Sequence, residues 1–339
     1  MNGFVYALDA DSGKLIWRVQ VDEHPQVRLT GSFTLYDGRL YVPTASWEEM
    51  SSSDPKYECC TSRGSLSALD AATGKVIWKM YPIADKPVPI AANKFGTKIF
   101  GPSGAGIWTT PTLDTKRGLI YVGTGNTFTG EDQPLSDSVL AIEMKTGKVR
   151  WSQRGTVGPD VSSGFCRFVD GCKNGPDLDF GATVVLGHLP NGKDFVFAGH
   201  KSGVGFGLDP DTGAVLWKYK AGIGGTWGGM EWGTTFDGMF VTTGEILIKS
   251  YAVEGTGNQR TIVADLEWTF PLEFVEVTVG DGKKVERHTI RTTDLAPNSS
   301  KRFTIPVDAT GKSWVRFAAY DSAGNPAFAQ PQWFNPANR

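Results

Sequence analysis

The sequence predicts an all-β chain: β-propeller blades over residues 1–244, then a small β-sandwich over residues 245–339. Three observations carry this. A strand–turn–strand motif recurs four times, each copy ends in tryptophan, and both habits stop after Gly244. A length of 339 residues also suits about two domains rather than one core.

The four copies run from Ala7 to Trp17 (ALDADSGKLIW), Ala68 to Trp78 (ALDAATGKVIW), Ala141 to Trp151 (AIEMKTGKVRW) and Gly207 to Trp217 (GLDPDTGAVLW). Their tryptophans are 61, 73 and 66 residues apart. In each copy a Ser/Thr-Gly pair turns the chain: the glycine supplies positive φ and the side chain before it bonds the turn backbone. Further strand pairs turn at Tyr36-Asp37-Gly38-Arg39, at Asp114 to Gly118 and at Pro190-Asn191-Gly192. Four strands per unit, radially repeated, make a propeller blade, and a solenoid would repeat with a shorter, more uniform period. The recurring tryptophan is expected to wedge between neighbouring blades. Residues 1–17 supply only the last two strands of a blade, three fuller blades follow, and residues 229–243 read as the first two strands of another. The expectation is a slice of a larger propeller. The alternative is a closed four-bladed ring, which requires Phe4–Leu8 to pair with Met239–Thr242.

Beyond Gly244 the pattern is of alternating strands at 261–270, 272–279, 285–292, 302–307 and 313–320, with turns at Gly280-Asp281-Gly282, at 297–300 and at 308–311. Short strands at this spacing predict a sandwich. Asp281, Asp294, Asp308 and Asp321 read as turn residues, not ligands.

Composition narrows the function. A net charge of −2 offers no footprint for nucleic acid, and no apolar run is long enough to span a membrane. The chain opens inside a strand pattern, without a charged-then-apolar leader. The four histidines (His24, His188, His200, His288) lack metal-ligand spacing, and there is no nucleophile elbow, P-loop or C-x-x-C-H haem motif. Gly203-Val204-Gly205-Phe206-Gly207 occupies a blade-strand position of the repeat, not a nucleotide loop. Cys59 and Cys60 are adjacent, Cys166 and Cys172 lie six apart, and two bridges are possible in an oxidising compartment.

Further landmarks are Gly104-Ala105-Gly106-Ile107-Trp108, then Gly123-Thr124-Gly125-Asn126, then Gly175-Pro176-Asp177-Leu178-Asp179-Phe180-Gly181. Two more stretches are Glu58-Cys59-Cys60-Thr61 in a long insertion and Gly225 to Gly233 (GTWGGMEWG). In these landmarks residues 1–243 resemble the quinoprotein alcohol dehydrogenases, and among them the polyvinyl alcohol dehydrogenases. The resemblance implies pyrroloquinoline quinone and Ca2+ as cofactors. It makes Trp108 the floor under the quinone and Asn126, eighteen residues on, a calcium ligand. Asp179 becomes the general base beside the metal, also counted as a ligand, with Asp177 as a nearby cofactor contact. A Cys59–Cys60 disulfide would cover the quinone's other face, and Arg63 would meet a quinone carboxylate. The physics agrees, since a planar tricarboxylate needs an aromatic face and edge donors, and calcium takes oxygen ligands. The implied partners are an alcohol or polymer substrate and a cytochrome c electron acceptor, in the periplasm or outside the cell. The segments from Trp268 to Lys284 and from Trp314 to Asn325 resemble instead the C-terminal module of an uncharacterised bacterial family, and no hydrolase core accompanies them.

Overall fold

Leu119–Gly123 reads LIYVG, and all five residues are buried. A strand with one wet face would alternate, whereas a strand covered on both faces does not. Its side chains feed two cores. Leu119 and Tyr121 pack with Trp151, Val196 and Leu208, while Ile120 and Val122 pack with Tyr41, Leu66 and Ile142. The sheet is therefore sandwiched between two others, as a propeller blade must be. The computed structural model describes residues 3–162, 166–172, 174–189, 191–220, 224–226, 228–231, 235–236, 241–242, 246–268, 271–322, 326–329 and 331–334.

The chain divides into Met1–Val241 and Thr242–Arg339. The first unit is a β-propeller segment. It begins with the antiparallel hairpin Phe4–Leu8 and Leu15–Gln20. The next blade is Thr34–Tyr36, Arg39–Ser46, Ser65–Asp70 and Val76–Met80, with Val27–Arg28 added beside the end of its second strand. Then come Thr112–Asp114, Leu119–Gly123, Ser138–Glu143 and Val149–Arg154, and after them Val185–His188, Asp194–Gly199, Val204–Leu208 and Val215–Lys220. Thr235–Phe236 pairs with Val241–Thr242. Among the described residues Phe4–Leu8 pairs with Leu15–Gln20 alone. The closed four-bladed ring is thus not formed there, and Met239 lies outside the described residues.

The tryptophan wedge has a definite seat. Trp17 donates its indole N–H to the Ala71 carbonyl at 3.0 Å, Trp78 to Met144 at 3.2 Å and Trp151 to Pro210 at 3.0 Å. Each acceptor lies in the repeat turn of the following blade. Each ring also lies flat against that turn's glycine: a Cβ on Gly74, Gly147 or Gly213 would come within 2.6, 2.6 and 2.5 Å of the indole. These glycines serve twice, adopting positive φ and leaving room for the preceding blade's tryptophan.

The second unit is a two-layered sandwich. One sheet runs Ile246–Glu254, Gln259–Trp268, Ser299–Asp308; the other runs Val285–Arg291, Leu272–Gly280, Trp314–Asp321, Pro326–Phe328, with Gln332–Trp333 also on Trp314–Asp321. Alternate residues from both sheets fill one core, including Ile262, Ala264, Leu266, Val275, Val277, Phe303, Ile305, Val315 and Phe317. Three details depart from the sequence reading. Ile246–Glu254 is an extra strand. Ser299 and Ser300 begin a strand rather than ending a turn, and the turn is confined to positive-φ Asn298 and its predecessors. Asp281 and Asp308 do bond their turn backbones, but Asp321 is a buried strand residue.

Candidate functional site

In an antiparallel blade, the connection from second to third strand and the connection to the next blade emerge at the same end. The tight repeat turns emerge at the other. Every functional side chain below comes from the first kind of connection. They meet at a cavity of about 540 Å³, within the usual range of ligand pockets. Its wall includes Glu49, Trp108, Asn126, Asp179, Lys201 and Glu231.

Lys201, in the turn between Asp194–Gly199 and Val204–Leu208, is buried and central. Its ammonium lies 2.5 Å from Asp179 Oδ2, 3.3 Å from Asp177 Oδ1 and 3.9 Å from Glu231 Oε1, and 5.7 Å from the centre of the Trp108 ring. Burial opposes its charge, but the carboxylates outweigh burial and hold the ammonium above its ordinary range. Asn126 is 1% exposed and donates through Nδ2 to Glu49 Oε1 at 2.8 Å and Asp177 Oδ1 at 3.3 Å. Burial, then mutual repulsion, raises the Asp177 carboxyl to about 8. Burial, then the charge of Asp179, raises Glu49. Burial also raises Asp179, against the pull of Lys201. Asp179 Oδ1 is buried with no hydrogen-bond partner.

That orphan oxygen, two further carboxylates and an amide form an oxygen-rich, over-acidic set, which is the chemistry a hard divalent cation relieves. Glu49, Asp179 and, with its amide turned, Asn126 could hold calcium. The half-buried Trp108 ring on the cavity wall, with Lys201 above it and Arg28 also on the wall, suits a flat anionic ring system. The residues therefore fit both groups. A separate cluster does not: Glu48, Cys59 and Cys60 have ligand atoms within 4.8 Å of one another, but the cysteines are joined as a disulfide and offer no thiolate.

A ring of buried carboxylates positions these residues. Asp160 accepts the backbone N–H of Asp177 at 2.8 Å and of Leu178 at 3.2 Å, fixing the loop that carries Asp179. Burial, then the charge of Asp137, pushes Asp160 up to about 6. Glu48 accepts the N–H groups of Thr61 and Ser62 at 2.9 and 2.6 Å, tying the Cys59–Cys60 turn to the one-turn helix Glu48–Ser51 that carries Glu49. His200 is 1% exposed, held between Asp137 at 2.8 Å and Ser202 at 2.7 Å, with its ring 4.7 Å from that of Phe180.

Of the residues singled out from sequence, Trp108, Asn126, Asp177 and Asp179 are brought together. Cys59 and Cys60 are bonded to each other but lie behind the cavity, packed on Phe128, which lines it. Cys166 is bonded to Cys172. Arg63 is not brought to the cavity: its guanidinium donates to the carbonyls of Ile83, Ala84 and Asp85 and covers the Tyr81 ring at 4.0 Å. Sequence reasoning missed Glu49, Lys201 and Asp160. A signal existed for Glu49, an acidic pair at 48–49 just ahead of the adjacent cysteines, and for Lys201, a lysine in a tight turn on the same rim as Asn126.

A family model described as outer membrane protein assembly factor BamB matches residues 1–226. The chain belongs to this propeller family. Within it, the chain is 42% identical over 259 residues to a polyvinylalcohol dehydrogenase of Sphingopyxis sp. (strain 113P3), covering 73% of this chain and 38% of that protein. A second polyvinylalcohol dehydrogenase, from Pseudomonas sp., is 38% identical over 270 residues, covering 78% and 42%. The chain thus spans about two fifths of the length of these relatives. The solved quinohemoprotein alcohol dehydrogenase ADHIIG of Pseudomonas putida HK5 shares the fold at 15% identity and a TM-score of 0.50, covering 98% of this chain and 56% of its own. No helix among the described residues is long and apolar enough to cross a membrane.

Proposed function

We propose that the chain carries the catalytic face of a quinone- and calcium-dependent alcohol dehydrogenase. The observation that carries this reading is the convergence of Trp108, Asn126 and Asp179 on one cavity, with Lys201 between the carboxylates. Bound pyrroloquinoline quinone would supply a two-electron, hydride-accepting centre, and calcium would supply Lewis acidity beside it. Glu49, Asn126 and Asp179 would hold the metal, and the Trp108 face and Lys201 would hold the quinone.

The protein's own share is proton handling and positioning. Lys201 holds Asp179 Oδ2 and leaves Oδ1 without a hydrogen-bond partner, so the carboxylate would sit at the metal's edge, where it can take the hydroxyl proton of an alcohol. Asp160 holds the backbone of that loop, and buried His200 backs Phe180, the next residue along. Trp47 and Met50 line the cavity at 59% and 61% exposure, an apolar lip that suits the hydrocarbon backbone of a secondary-alcohol polymer. A one-electron acceptor such as a cytochrome c would complete the cycle. The two disulfides fit an oxidising compartment, the periplasm or the exterior.

The second reading is a propeller that binds or scaffolds without catalysis, favoured by the assembly-factor description of the matching family model. Calorimetric titration with pyrroloquinoline quinone, with calcium and with chelator, separates the two. Stoichiometric, calcium-dependent binding that Asn126→Ala abolishes supports the enzyme. A cooperatively folded protein that binds no quinone leaves the scaffold.

A further inference from the structure

The rim that carries the catalytic cavity carries a second cavity, of about 790 Å³. Its walls come from the hairpin of Val88–Ala92 and Lys98–Gly101, from residues 130–133, and from residues 169–172 with Pro159 and Val161. Two features that the catalytic cavity leaves unused brace these walls. Arg63 donates to the carbonyls of Ile83, Ala84 and Asp85, and Asp85 lines the second cavity. The Cys166–Cys172 disulfide closes the turn whose Val169 and Asp170 line it. Phe168 of that turn meets Phe95 of the hairpin edge-on at 6.1 Å, and the Lys94 N–H donates to the Phe168 carbonyl at 3.3 Å. The walls are thus fixed by the fold itself.

The partition between the two cavities is thin. Phe128 lines the catalytic cavity, and Gly130, two residues on, lines the second. A Cβ on Gly101 would lie 3.2 Å from Gly130 Cα, and one on Gly130 would lie 3.2 Å from Pro102 Cα, so backbone meets backbone there. The cavities also share a post. Asp132, on the second, accepts the N–H of Asp160 at 3.0 Å, and Asp160 holds the loop of Asp177.

The lining has a definite chemistry. Ile99 and Val161, at 3% and 4% exposure, form an apolar floor that Ile90, Ala91 and Val169 continue. Around it stand Asp85, Glu131, Asp132, Gln133 and Asp170, and among the described residues no lysine or arginine lines the cavity. The charge of Asp132 is already met by Arg154 at 2.8 Å, and the Gln133 amide donates to the Glu131 carbonyl at 2.9 Å, leaving its own oxygen as an acceptor. A bare metal ion does not suit the set: among the described residues its carboxylates do not converge as ligands would. Acceptors over an apolar floor complement a ligand that brings donors on a hydrocarbon frame, as a chain of secondary hydroxyls does.

We infer that the second cavity holds a further stretch of the hydroxyl-bearing polymer whose reacting unit enters the catalytic cavity. The choice of occupant rests on the dehydrogenase reading above. A chain held at two neighbouring sites gains roughly 10²–10⁴ in avidity over either alone. A short alcohol reaches one site only and gains nothing.

Affinity electrophoresis of the apoprotein, with chelator, in native gels containing polyvinyl alcohol tests the site without quinone or turnover. Ala91→Trp fills the cavity from an exposed position, and Glu131→Ala with Asp170→Ala removes two exposed acceptors. The wild type should be retarded, and should remain so in about 1 M sodium chloride, where charge reaches only about 3 Å. Both variants should need roughly tenfold more polymer for the same retardation. Far-UV circular dichroism monitors folding, and the double variant decides where Ala91→Trp unfolds. In quinone-loaded protein the same changes should raise KM for the polymer and leave KM for isopropanol where it was. A protein that is retarded yet binds no quinone keeps this inference and removes the catalytic one. A wild type that runs unretarded, or retardation that the folded variants share in full, overturns the inference. So does an unretarded protein that binds spermine in a salt-sensitive way blocked by Ala91→Trp, which would make the cavity a cation site.

Discussion

Gly181 sits directly under the aromatic wall of the cavity, and enlarging it by one methyl group is the sharpest probe of what Trp108 does. An added Cβ would lie 2.7 Å from Trp108 Cη2, 3.0 Å from Cζ2 and 2.9 Å from Glu231 Cγ. Carbon atoms rest at about 3.5–4.0 Å, so the indole must retreat by about 1 Å. Gly181 is not among the positive-φ glycines, so the substitution acts by crowding and not by backbone strain. Overpacking of this kind costs about 1–3 kcal/mol. Expressed wholly as lost quinone affinity, that is roughly a 5- to 150-fold rise in Kd. The assay is a double-mutant cycle by calorimetry with pyrroloquinoline quinone and calcium: wild type, Gly181→Ala, Trp108→Ala and the double variant. If the methyl acts by displacing the indole, it has no further effect once the indole is gone. Losses that simply add, or a folded Gly181→Ala that binds as wild type does, would refute the assignment of Trp108 as the platform.

Two further outcomes follow from the same structure. Gly213→Ala and Gly38→Ala both impose a left-handed backbone on alanine, a cost of about 1–2 kcal/mol, but only Gly213 has an indole 2.5 Å from its virtual Cβ. Gly213→Ala should lose about 1–3 kcal/mol more in urea unfolding, and equal losses would show that the tryptophan seat carries no packing. Asp194, whose side chain is 7% exposed, is bound by His188 and Arg117 at 2.7 Å each, and these contacts hold its carboxyl well below the usual range. A lowered carboxyl stabilises the fold fully above the unfolded value of about 3.9 and loses that effect as pH falls through the folded value. Urea midpoints measured from neutral to strongly acid pH should therefore fall more gently in Asp194→Asn than in wild type; parallel curves would count against the pairing.

The blades were legible because the repeat turn is a local device: Thr-Gly followed by a strand ending in Trp states its own geometry, and the seat it makes lies in the next copy of the same motif. The strand Ile246–Glu254 was not, because a register shift between Ile248 and Ser250 breaks its alternation. Ser299 and Ser300 look like turn residues yet pair with Trp268 and Glu267, since strand length there is set by the partner. At the site, Trp108 and Asn126 were singled out by the family resemblance of their motifs, and both line the cavity. Glu49, Lys201 and Asp160 come from connections that differ in every blade, so no internal comparison marks them. Arg63 shows the converse: a cation in a suggestive stretch, already committed to three backbone carbonyls.

The separation of the two rims has a consequence for how such proteins diversify. Blade cohesion is written in the Trp–Gly turns at one end, while every charged group of the cavity is written in connections at the other. Either script can be edited without rewriting the other. A homologue could keep all its docked tryptophans while a few loop substitutions erase the chemistry. A designer could transplant the connections that carry Glu49, Trp108, Asn126, Asp179, Lys201 and Glu231 onto foreign blades and move the cavity with them.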